Sequence, residues 1–204
     1  SQTLSVISKT RKQSIFTANK SSMQKFVQTL FALGILMYCS AATHAQTVTQ
    51  TFSSAPVQVN GAPTALVYPT LVQVSGMPSN ITDLKVHLNG LIGIQDNFEI
   101  LLESPDGTRC ILYSDASELI TFALFDISLG MGAKTVWPYW NSENIYLPPN
   151  RDVGTPDIWP APGPGQVDQP QPTLAVFEGK NPNGLWKLYL LDNAAPYGIS
   201  IANG

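Results

Sequence analysis

Beyond residue 56 the apolar positions fall into short runs punctuated by Gly, Pro, Asn and Ser. Val57/Val59, Leu66-Val67-Tyr68, Leu71 to Val74, Leu84 to Leu88, Phe98 to Leu102, Cys110 to Leu112, Phe122 to Phe125 and Leu185 to Leu191 are each apolar or alternating. That length and spacing predict the strands of an all-β sandwich. After Gln46 no stretch of a dozen residues or more carries a helical stripe.

Two segments show the pattern at its clearest. In residues 97–113, Phe98, Ile100 and Leu102 alternate with Glu99, Leu101 and Glu103, which predicts a strand with one face in a core. Ser104-Pro105-Asp106-Gly107 then supplies a preset φ and a permissive glycine, so the chain reverses into Cys110 to Tyr113 as a hairpin. Asn181-Pro182-Asn183-Gly184 repeats this logic before Leu185 to Leu191. There Trp186, Leu188 and Leu190 share one face, and Lys187, Tyr189 and Leu191 form a mixed, half-solvated one.

Taken in order, Asp83 to Leu88 (Asp-Leu-x-Val-x-Leu), Leu101 to Gly107 (x-Leu-Leu-x-Ser-Pro-x-Gly) and Phe177 to Asp192 (Phe-x-Gly-x-x-Pro-Asn-Gly-x-Trp-x-Leu) resemble the P domain, or Homo B domain. That domain follows the catalytic domain in proprotein convertases and other subtilisin-like serine proteases, and also occurs in bacterial surface proteins that are not proteases. The resemblance covers residues 52–204 and implies a jelly-roll-like sandwich. Family members carry Gly-Asp-Leu where this chain reads Asp96-Asn97-Phe98, and they continue into a further strand where it reads Ala202-Asn203-Gly204. The expectation is a sandwich lacking its last strand, with an unpaired edge.

The front of the chain bears on compartment. Residues 1–22 are polar, basic and expected to be disordered. Residues 23–45 read as a signal peptide: a basic start at Met23-Gln24-Lys25, an apolar stretch from Phe26 to Tyr38, and a small-residue cleavage site ending at Ala45. An uncleaved anchor is the alternative, and Met37-Tyr38 before Cys39 is too bulky for a lipoprotein site. Residues 46–51 form a short linker. The expected product is secreted or held at the cell surface, with no membrane insertion after cleavage.

Cleavage changes the charge. All 14 acids lie at or beyond Asp83, whereas Lys9, Arg11, Lys12, Lys20 and Lys25 leave with the leader, so six of 11 cations remain and the net charge is −8. Such a surface opposes nucleic acid and anionic membrane as partners. Cys110 is then the only cysteine, which excludes an internal disulfide and fits a bacterial origin. Asn80-Ile81-Thr82 is a glycosylation sequon, silent in a bacterium.

Residues 147–172 hold eight of the 16 prolines. They read as a long loop inside one domain rather than a polyproline linker, because the Trp-centred strand after them is needed as a partner by the earlier strands. Trp137, Tyr139, Trp140, Tyr146 and Trp159 in or near this loop form the candidate contact surface, able to stack on sugars or peptides if exposed. The other reading is that they fold back over the sandwich.

A Ser-His-Asp catalyst needs its three groups in reach of one another beside an oxyanion hole. After export the sole histidine is His87, on the solvent side of its strand with Lys85 and Asn89, and no subtilisin triad motif is present. One Cys and one His do not make a zinc site. Paired carboxylates for glycoside hydrolysis are a tertiary matter that sequence leaves open. Calcium is the cofactor the resemblance implies, with Asp96 and Asp126 as candidate ligands, although no Asp-x-Asp-x-Asp spacing surrounds them. The sequence thus points to a noncatalytic P-domain-type module. Its expected partners are other domains of the same polypeptide or a protease catalytic domain, and the alternative is a surface module binding carbohydrate or peptide.

Overall fold

The structure is a computed structural model that describes residues 47–60, 63–94, 98–116, 122–136, 144–151, 154–193 and 198–202, together with Gln24, Lys25 and Gln28. The chain forms two compact units, Ser1–Thr47 and Val48–Gly204. In the first, Gln24, Lys25 and Gln28 are helical and exposed; the rest of the expected signal peptide, its cleavage site and Cys39 lie outside the described residues. No helix among the described residues is long and apolar enough to cross a membrane.

The second unit is almost entirely β. Its strands are β1 (Val57–Val59), β2 (Thr70–Val74), β3 (Lys85–Ile94), β4 (Phe98–Glu103), β5 (Arg109–Ser114), β6 (Phe122–Gly130), β7 (Asp157–Trp159), β8 (Gly165–Val167), β9 (Gly184–Asp192) and β10 (Ile199–Ile201), with one 3-10 turn at Leu174–Phe177. Sheet A has the order β1-β10-β3-β6, sheet B the order β2-β9-β4-β5, and β7 and β8 form a separate hairpin. With that hairpin set aside, β4 pairs β5, β3 pairs β6, β2 pairs β9 and β1 pairs β10, all antiparallel. The chain is therefore one long double strand, folded at the β4–β5 turn and rolled up so that β4 also meets β9 and β3 also meets β10. That is the jelly roll.

The β4–β5 turn forms as its residues dictate. Gly107 takes φ +82°, its N–H donates to Ser104 O at 2.9 Å, and the Asp106 carboxylate accepts from Ser104 Oγ at 2.5 Å and Thr108 N–H at 3.0 Å. Between the sheets lies the main core, in which the inward rows are largely apolar, Thr70 of β2 being an exception. Phe98 stacks on Tyr113 with ring centroids 4.4 Å apart, and Phe177 meets Trp186 edge-on at 5.2 Å.

Several local expectations are corrected. Strand β4 is buried on both faces, and the outer row of β9 is divided: Leu185 and the Lys187 side chain are 39% and 38% exposed, whereas Tyr189 and Leu191 are sealed at 2% and 5%. The cause is a second core. The proline-rich segment carries the β7–β8 hairpin, which lays Trp159 and Val167 over Leu101, Ile111, Tyr189 and Leu191 on the outside of sheet B, with Tyr68 packed alongside. Leu66-Val67-Tyr68 is a bend rather than a strand, β6 runs on to Gly130, and β7, β8 and β10 lie outside the expected runs.

Candidate interaction surface

Of the expected site residues, Asp126, Tyr146 and Trp159 are among the described ones, and each sits in a different environment. Asp126 is exposed, and its Oδ1 accepts from Gly90 N–H at 2.6 Å across a β-bulge in β3. No group of three His, Cys, Asp or Glu able to hold a metal occurs among the described residues. Asp96, Trp137, Tyr139 and Trp140 lie outside the described residues. Trp159 is fully buried and Tyr146 only 3% exposed, so neither serves as a contact surface. Both fold back, Trp159 over the outside of sheet B and Tyr146 into the main core.

Cys110 is a core residue, its thiol pushed up to about 12 by burial, which leaves almost none of the reactive thiolate at neutral pH. His87 is exposed on β3, and Ser128 faces it from β6 with 2.8 Å between Nδ1 and Oγ. Sequence reasoning missed this pair, because 41 residues and an unread strand register separate its members. The pair lies on an open sheet face, and among the described residues no carboxylate is bonded to the imidazole.

The two motif segments do meet. Lys180 Nζ reaches Asp106 Oδ2 at 2.8 Å, and a Cβ added at Gly184 would lie 2.7 Å from Pro105 Cβ. Asn183 clamps the backbone of Met77, accepting from its N–H at 2.9 Å and donating Nδ2–H to its carbonyl at 2.7 Å. Trp186 donates Nε1–H to Pro182 O at 2.8 Å. These bonds are scaffold: they fix both turns at one end of sheet B.

From that end a row of side chains crosses the outside of sheet B. Register places Leu71 of β2 beside Lys187 of β9, Lys187 beside Glu103 of β4, and Glu103 beside Arg109 of β5. Glu103 is buried, with Oε1 accepting from Lys187 Nζ and Oε2 from Arg109 Nε, both at 2.7 Å. Burial raises its pKa, yet the hydrogen bonds and charges of the two cations outweigh that and hold it below the ordinary value. Of the exposed large apolar residues, Leu66, Val67, Leu71, Ile158 and Leu185 belong to β2 and the bend before it, the hairpin and β9, the elements on this side of the domain. No family model, curated protein or solved structure matches the chain.

Proposed function

We propose that this chain contributes a noncatalytic P-domain-type module to an exported multidomain protein, one that docks on and stabilises a subtilisin-like serine endopeptidase domain. The observation that carries the reading is the junction of the two motif turns. Residues 104–107 and 180–184, whose order underlies the resemblance, are bonded through Lys180–Asp106 and packed through Gly184 on Pro105. The jelly-roll pairing supports the same reading. Docking is the mode available to a sandwich that exposes apolar side chains such as Leu71, Leu185 and Ile158, and interfaces between domains are built from such contacts.

The test is to mix the full chain with a subtilisin-like catalytic domain from the same source, then measure association by sedimentation and peptidase survival on heating. A 1:1 complex that outlives the free protease is the expected result. Absence of association at tens of micromolar, together with binding to a glycan or peptide array, would overturn it in favour of the surface-binding alternative.

A further inference from the structure

We infer that the outside of sheet B, around the Leu71–Lys187–Glu103–Arg109 row, is the docking face, and that its occupant is an acidic, apolar-flanked segment of the partner domain. This rests on the docking reading above. The exported part carries six cations against 14 acids, yet Arg109, Lys180 and Lys187 gather at this end of sheet B. Within the row one carboxylate stands between two cations, so a positive charge is in excess. Glu103 takes a single donor from each of them. The remaining donors are the guanidinium fork of Arg109 and two ammonium protons of Lys187, on side chains each 38% exposed. A guanidinium with its fork open is the preferred receptor for a carboxylate.

Apolar neighbours complete the face. Leu71 is 50% exposed and Leu185 39%, and both point outward because Val72 and Trp186, the next residues along, pack into the main core. An acidic partner is repelled by the rest of a domain of net charge −8 and attracted here. The long-range field therefore orients the encounter while the leucines supply the contact. A second copy of this chain carries the same excess of acid over its other surfaces, so copies repel.

The test titrates the isotopically labelled full chain with the peptide acetyl-Leu-Glu-Leu-Glu-Leu-amide, followed by amide NMR shifts, with the Gln-for-Glu peptide as control. Shifts confined to residues around Leu71, Leu185, Lys187 and Arg109, absent with the control, are expected. Arg109→Gln, which keeps a donor for Glu103, should weaken binding about tenfold; Leu71→Asp should abolish it, and Leu124→Asp on the opposite sheet should leave it unchanged. No shift at millimolar peptide, equal shifts with both peptides, or dimerisation of the chain that Leu71→Asp removes would each overturn the inference. The docking reading fails separately: a protease complex untouched by Leu71→Asp and Arg109→Gln sinks this face alone, whereas peptide binding without a protease complex sinks the protease assignment alone.

Discussion

The outer faces of the two sheets end in opposite environments. On sheet A, Lys85, His87, Leu124 and Asp126 remain exposed. On sheet B, Leu101, Ile111, Tyr189 and Leu191 are sealed under a hairpin. The difference lies in what each strand offers outward. Strand β3 alternates apolar with polar, so its outer row is content in water. Strands β4, β5 and β9 are apolar on both rows in their central residues, as in Ile100-Leu101-Leu102, Cys110-Ile111-Leu112 and Leu188 to Leu191. A nearly continuous apolar run signals burial on both faces, so the sequence called for a cover and the proline-rich segment provides it.

The sharpest way to break this contrast is Trp159→Ala. The indole is fully buried on Tyr189, with ring centroids 6.4 Å apart, and deleting it should cost roughly 3–5 kcal/mol, as for a core aromatic. Leu124→Ala on the open sheet should cost under about 0.5 kcal/mol. Denaturant unfolding of both variants decides the matter: equal small losses would mean that the hairpin is an ornament rather than a second core.

Gly184→Ala probes the junction of the motif turns. Gly184 has φ +134° and abuts Pro105, so a methyl group meets both backbone strain and a rigid ring. A loss of about 2–4 kcal/mol is expected from the two together. A melting temperature unchanged from wild type would show the turns to be independently stable, removing the observation that carries the proposed function.

How much of this was legible can be argued residue by residue. The β4–β5 hairpin, the strand after Asn183-Gly184 and the core role of Cys110 follow from local chemistry: a turn with its glycine, an alternation, a small apolar side chain. The cover over sheet B is written in the doubled apolar rows, whereas Lys187 in the same row signals solvent, and the row holds both: Tyr189 and Leu191 are sealed while Leu185 and Lys187 stay partly exposed. Lys187 reaches over to Glu103 at the edge of the covered area. Strands β7, β8 and β10 are three residues each and lack the paired apolar positions that mark Val57 and Val59 of β1, apart from Ile199 and Ile201, whose partners in β1 and β3 are far away in sequence. The charged row was invisible for the same reason: Glu103 and Lys187 are 84 residues apart and meet through strand register alone.

That row predicts a pH effect on sheet B. The pKa of Glu103 is held below its ordinary value of 4.5, so its stabilisation is fully present above that value and is lost as pH falls through the depressed folded value. Glu103→Gln should cost about 1–2 kcal/mol at neutral pH, at the lower end because both cations are partly exposed. The deficit should vanish in acid. Asp106, lowered by Lys180, Ser104 and Thr108, adds a loss of the same sign that the Gln variant retains. Thermal melts of both proteins from pH 7 to pH 2 give the check: a deficit constant across that range would mean that Glu103 acts by shape rather than charge.

The smallest effect belongs to the open face. His87 and Ser128 form a cross-strand hydrogen bond in water, which competes with solvent for both partners and so contributes little. His87→Ala should change stability by no more than roughly 0.5 kcal/mol and, on the proposed docking reading, should not alter association with a protease domain. A larger loss would mean that sheet A, too, is covered in the working protein. The docking face would then have to be sought around His87, Leu124 and Asp126 rather than around Arg109 and Lys187, and the contrast between the two sheets would reverse.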